Sequence, residues 1–350
     1  MSFTASSRAL WPLLLGVALA VCLFGCTIEL PPVDKGAYRD QTTSGDASYD
    51  LASCAGKADG TVCTDNDPRT TNDACAASVC VGAKFADFFV TTLEDADAGS
   101  CTAAKCTLRD AMTAALASAQ TEAPVIAFFV EGTIVLKATL PAVTRSVVID
   151  AGAGVAAAVA KLRIGIDGAK AHRAFRHLAG KLTLRNLRVF DGAADKGGAV
   201  QCDIGTTGAL VIEDCVFERN IAVMAGGAVH CVSATVIRRT TFIENAVTDA
   251  SANALGGAVA VVGITEIHDS TFLRNKSGQY GGAVAGLTSS ILTIKGSAFV
   301  DNQAIRGGAI ASFSHTKLFN VTMAGNGGPL CVGGGGLLAV GSWRGAPWPS

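Results

Sequence analysis

The chain has 350 residues, 28 of them basic and 29 acidic, and a formal charge of −1. That balance excludes the broad basic face that nucleic acid or an anionic lipid surface would require. Only 16% of residues are charged and 6% aromatic, while 40 are glycine; helix-rich globular chains carry more Glu and Lys and less Gly, so short strands and tight turns are expected.

Residues 1–25 read as an export signal. Arg8 supplies the positive n-region, and Ala9 to Gly25 is an apolar run broken only by Pro12. Leu23-Phe24-Gly25-Cys26 resembles a bacterial lipobox. That resemblance implies cleavage before Cys26 and lipidation of Cys26, so the membrane is a partner through the lipid. Thr27, rather than Asp, follows the cysteine, and this implies an outer-membrane address on its periplasmic or extracellular face. An ordinary cleaved signal and a retained anchor are the alternatives. Residues 26–53 are polar and aperiodic, as a flexible tether is. Twelve cysteines are present; export would expose those after Cys26 to an oxidising compartment and favour disulfides.

Residues 54–82 form a small unit with Cys54, Cys63, Cys75 and Cys80. Its DGT-x-C and C-x4-C-x-G spacings resemble the short Cys-rich modules of secreted myxobacterial proteins. Four cysteines allow three pairings, and the sequence does not choose among them. Asp59, Asp65, Asp67 and Asp73 offer calcium ligands, but their spacing matches no full calcium loop; turn-forming aspartates are the simpler reading, and no cofactor is expected.

Residues 85–124 start the main domain with a strand-like FADFFVTTL, then Cys101 and Cys106, close enough to pair locally. Thr107 and Asp110 approximate a capping box. Leu108, Ala111, Met112, Ala115 and Leu116 follow at helical spacing. Such a helix can cover the open end of a stack of strands.

Residues 125–326 carry a repeat. GGAV stands at 197–200, 226–229, 256–259 and 281–284, and GGAI at 307–310, with starts 29, 30, 25 and 26 residues apart. Each is followed by a second marker: Phe217 with Asn220, Phe242 with Asn245, Phe272 with Asn275, Phe299 with Asn302, and more weakly Met323 with Asn326. Aligned on the Asn, an aliphatic column appears eight residues earlier (Leu184, Ile212, Ile237, Ile267, Ile294, Leu318). A small-residue column lies five earlier (Leu187, Cys215, Thr240, Ser270, Ser297, Val321). The Asn column suits a turn with positive φ, and its amides can bond along a stack. The column before it reads Asp191, Arg219, Glu244, Arg274, Asp301, alternating in sign. If turns stack about 4.8 Å apart, every charge meets its opposite above and below.

This pattern predicts an all-β, right-handed, single-stranded parallel β-helix of the pectin-lyase-like solenoid type with a short N-terminal capping helix. Helical repeats need two amphipathic helices per unit and propeller blades need about 40 residues; neither fits. Eight or nine turns are expected from residue 125, a rod of about 40 Å. Residues 327–350, with Trp343 and Trp348, read as a Gly-rich tail, either a frayed last turn or the end of a truncated frame.

GGA[V/I] with F-x-x-N resembles the repeat of the chlamydial polymorphic outer membrane proteins and other bacterial surface β-helices, and CTLRDAM at 106–112 resembles their CSLRDAI-like opening segment. The resemblance spans about residues 100–330. It implies a surface-displayed β-helix with adhesive roles, toward a surface polysaccharide or a protein ligand. The family's translocating barrel has no counterpart here; a lipid anchor would replace it. A monomer without nucleic-acid partners is expected.

Chemistry is harder to find. The corner column Asn186, Asp214, Arg239, Asp269, Gly296 places no two acids on adjacent turns, so the carboxylate pair of a glycosidase is not visible. Asp191, Asp195 and Lys196 are merely near in sequence. His172, His177, His230, His268 and His315 share no metal-ligand spacing; His230 and His268 fall at outward positions. Cys202 and Cys231 both lie five residues after the first Gly of their GGAV, the same slot on successive turns, and an inter-turn disulfide is predicted. Cys215 reads as a buried apolar group. The longest Asn-to-Gly-Gly gap holds Ala246–Leu255; a neutral insertion is the simpler reading, and a ligand, if bound, would use such a loop. The expected function is non-catalytic display of a rigid rod for binding or envelope structure. The alternative is a polysaccharide lyase or hydrolase.

Overall fold

The computed structural model describes residues 54–58, 60–64, 70–76, 78–97, 99–153, 164–203, 208–249, 254–328, 336–339 and 343–345. The export signal, Cys26 and the tether lie outside them, as do Asp59, Asp65, Asp67 and Trp348.

Residues 54–84 hold an antiparallel hairpin, Thr70–Ala76 against Val79–Lys84. Its interior is sulfur. Cys54, Cys63 and Cys75 are buried with Cys80 packed against them, and the bridges are Cys54–Cys75 and Cys63–Cys80. A unit this small buries too little apolar surface to hold together without such links.

The rest is a parallel β-helix. Its first face has ten strands, from Phe88–Val90 to Trp343–Gly345. The second has eight, from Gly132–Val135 to Thr322–Ala324, and the third seven, from Phe175–His177 to Leu337–Ala339. About seven turns therefore present all three faces, fewer than the eight or nine expected. The first turn closes its third side with a single bridge, Val143 to His177. Within residues 327–350, Leu337–Ala339 pairs with the strand at 310–312 and Trp343–Gly345 with the strand at 315–319, so part of the Gly-rich stretch continues the stack.

The register puts like on like. Leu184, Ile212, Ile237, Ile267, Ile294 and Leu318 are successive partners. Phe217, Phe242, Phe272 and Phe299 stack with ring centroids 5.2, 4.8 and 4.6 Å apart and are fully buried. Each such ring pair adds about 0.5–1.5 kcal/mol beyond its burial. The small-residue column is a hydroxyl ladder. Ser270 N–H donates to Ser297 Oγ (3.2 Å), and Thr240 N–H to Ser270 Oγ (3.2 Å). Each hydroxyl in turn donates to the carbonyl two residues back, as Ser270 does to His268 O (2.7 Å).

The Asn column differs from expectation. Positive φ falls one residue earlier, at Asp191, Arg219, Glu244, Arg274 and Asp301 (49–54°). The left-handed residue turns the corner and sends its charged side chain outward. The following Asn then points in, where its amide ties neighbouring turns together. Asn245 Oδ1 accepts from Asn220 N–H and Nδ2 (both 3.0 Å), and Asn245 Nδ2 donates to Phe217 O (2.9 Å) and Asn275 Oδ1 (3.0 Å). The ladder runs on through Asn302 to Asn326. Inward amides serve both needs of a buried corner: its backbone groups are satisfied, and so are the side chains that satisfy them.

Two further corners repeat. Asn186, Asp214, Arg239, Asp269, Gly296 and Asn320 all have positive φ, and so does the first glycine of each GGA motif (55–63°). The second glycine answers a different demand: a Cβ on Gly257 would strike the carbonyl oxygen of Gly282 on the next turn.

The helix Leu108–Ala117 closes the N-terminal end. Thr107 and Asp110 form the capping box, and Leu108, Ala111, Met112 and Ala115 are buried. Arg109 clamps it in place: its Nε and Nη2 each lie 2.9 Å from Asp95, and Nη1 and Nη2 donate to Thr139 O and Ala138 O (2.9 Å each). Burial alone would raise the Asp95 carboxyl, but hydrogen bonds from Arg109 and the Lys137 and Ala138 N–H groups hold it below the usual range. Cys101–Cys106 closes the loop leading into the cap.

Candidate functional surface

Five outer carboxylates meet cations of neighbouring turns. Asp191 binds Arg219 (3.1 Å), Asp214 binds Arg239 (2.6 Å), and Glu244 binds Arg274 (2.9 Å). Glu213 lies between Arg185 (2.8 Å) and Arg238 (3.1 Å), and Glu218 contacts Arg188 (2.5 Å) and Arg219. Burial would raise the Glu213 carboxyl, but the two flanking guanidiniums bring it below the ordinary carboxylate value. The hydrogen bond from Arg219 to Asp191 raises the Arg219 guanidinium, and Glu244 on the other side adds to it. The alternating column thus acts in both directions, as its signs imply. Asp269 adds its field to Arg239; Asp195 is exposed near Arg173.

The histidines are dispersed. His268 lies 3.2 Å from Glu266. His177 is in register with Cys202, inside the coil, its Nε2 against Ala179 O and Gly180 O (3.2 and 2.9 Å). His230, at a slot where an outward side chain is expected, is only 7% exposed. Its neighbours on the next turns, Ala260 and Ala285, are fully buried too. The outer side of the third face is therefore covered there, which single-strand alternation does not reveal. Burial, with Lys196 adding, pushes the His230 imidazole down to about 4. The Nδ1 atoms of His177 and His230 have no hydrogen-bond partner among the described residues.

Cys202 and Cys231 are joined by a disulfide, Cα atoms 4.5 Å apart, in the slot continued by Val261, Gly286 and Ser312. Cys215 is a buried free thiol, pushed up to about 12 by burial. It stays protonated at neutral pH and is a poor nucleophile. The sulfurs of Cys54, Cys63 and Cys80 converge within 4.8 Å, because the two bridges of the small unit lie side by side; oxidised sulfur has no thiolate to give a metal.

One recess was not foreseen from the sequence. A cleft of about 450 Å³ lies where the chain leaves the cap and starts the first face, lined by Phe85, Asp87, Gln120, Thr121, Glu122 and Val125. Of the longest inter-motif loop, Ala246–Val247 pairs with its neighbours and the Asp249 N–H donates to Val223 O (2.9 Å); residues 250–253 lie outside the described set.

No protein-family profile matches the chain, and neither a curated protein nor a solved structure does.

Proposed function

We propose that the chain is a non-catalytic, lipid-anchored cell-surface protein that presents a rigid β-helix for binding, adhesion or envelope structure. The observation that supports this most is the ion pairing of Asp191, Glu213, Asp214, Glu218 and Glu244 with arginines of adjacent turns. A hydrolase or lyase needs carboxylates with shifted affinities converging on one bond. Acids neutralised between stacked turns instead serve register. The lipobox-like Leu23–Cys26 segment, the disulfides and the GGA[V/I]/F-x-x-N resemblance support export and surface display.

Two measurements test the reading. Cells expressing the full chain should incorporate labelled palmitate and keep the protein in the outer-membrane fraction, and Cys26→Ser should abolish both. Label or membrane retention unchanged in that variant would remove the anchor. Clear cleavage of acidic polysaccharides with calcium, lost in Asp214→Asn or Asp269→Asn, would replace display by catalysis.

A further inference from the structure

We infer that the cleft beside the cap binds a small organic cation, an ammonium group carried on an apolar body. This does not rest on the surface-display reading. The volume, about 450 Å³, falls in the range of small-ligand sites. Among the six lining residues named above, two bear carboxylates and none is basic, which disfavours anions. Asp87 is committed to structure: its Oδ1 accepts from Gln120 Nε2 (3.1 Å) and its Oδ2 from Val125 N–H (2.8 Å). Glu122 is exposed and its carboxylate has no ion-pair partner among the described residues. It is the free counter-charge.

Phe85 supplies the aromatic wall. Its ring makes edge contacts with Phe89 (5.2 Å, 89°) and Phe129 (6.5 Å, 74°), which stack on each other at 4.4 Å. An oriented ring and a carboxylate lining one cleft offer an ammonium group both a π face and a counter-charge. The cleft is also preformed. Residues 118–124 carry no regular structure, yet Asp87 bonds Gln120 and Val125 while Arg145 donates to Gln120 O and Glu122 O. Little ordering then remains for a ligand to impose.

The test uses the full chain and ligand-observed NMR with benzyltrimethylammonium, against 3,3-dimethylbutan-1-ol as a neutral probe of similar branching and benzoate as an anion. Expected is saturable millimolar binding of the ammonium, at least about fivefold tighter than the neutral probe, with no benzoate binding. Glu122→Gln, at an exposed position, should weaken the ammonium several-fold and leave the neutral probe unchanged. Phe85→Leu should weaken both. Equal affinity for the neutral probe, indifference to Glu122→Gln, or no saturation up to 100 mM would each overturn the inference. Thermal unfolding of both variants at the parent temperature guards against reading a folding defect as lost binding.

Discussion

Asn275 shows what one residue contributes to the stack. Its backbone N–H and Nδ2 donate to Asn302 Oδ1 (2.9 Å each), Nδ2 also donates to Phe242 O (3.0 Å), and Oδ1 accepts two bonds from Asn245. Asn275→Ala would strand the Asn245 N–H, leave Asn245 Nδ2 with Phe217 O alone and take a donor from the Phe242 carbonyl. At about 1–3 kcal/mol for each stranded group, the loss should reach about 2–3 kcal/mol, read as a lower urea midpoint with unchanged slope. A loss below 1 kcal/mol would mean the ladder is incidental. His230 sets a pH dependence. Its folded value near 4 lies below the ordinary value of about 6.5, so the unfolded chain binds more protons between them. Stability is therefore full above pH 6.5 and falls as pH drops toward 4, by up to about 3 kcal/mol from this group. Burial moves His177 in the same direction. Denaturation at pH 7.5 and 5 should show a smaller difference for His230→Gln than for the parent. The residue scale is also where sequence reading erred. Asn tolerates left-handed φ, and that preference competed with its capacity to bond along a stack. The alternating charges of the column before it, Asp191 to Asp301, carry no sign of the left-handed backbone those residues adopt.

Among the elements, the cap depends most on a few groups. The helix is only ten residues long, too short to hold itself in water, and Arg109 joins it to the first turn. Arg109→Met would keep much of the side-chain volume but leave Asp95, 6% exposed, buried with only backbone donors. A cost of about 3–5 kcal/mol follows from breaking one side of a buried pair. Proteolysis should then cut first within residues 100–120, before the repeats; cleavage beginning in the repeats would place the weak point elsewhere. The capping box and apolar spacing of this helix were legible because they are local in sequence. The partners of Arg109 were not, since Thr139 and Asp95 are 30 and 14 residues away and belong to no repeat. The cleft leaves no sequence signature for the same reason: Phe85 and Glu122 line it together only because the cap folds the chain back.

For the whole molecule, the fold could be read because one period was written five times and each column had one chemical character. What lacked a period stayed hidden: the pairing within residues 54–84, the strands at 337–339 and 343–345, and the cover over His230. The three left-handed corners explain why so sparse a motif suffices. Once Gly, Asn and one outward charge recur at or beside their corners, intervening residues of the first two faces need only alternate between apolar and polar, while the third face, from Val229 to Ser312, is buried on both sides.

The two outer charge files carry a consequence for how such a chain can change length. Excising the single coil that holds Arg239 and Glu244 would bring Asp214 beside Asp269 and Arg219 beside Arg274, a clash in both files at once. Excising that coil together with the next sets Asp214 against Gly296 and Arg219 against Asp301, with no like-sign contact. The quantum of growth or loss is thus a pair of coils. A one-coil deletion should be rescued by Asp269→Lys with Arg274→Gln, which removes both clashes without setting an acid beside Asp301, whereas a two-coil deletion should fold without help; equal behaviour of the one-coil deletion with and without those exchanges would show that the files leave no trace in the molecule's arithmetic.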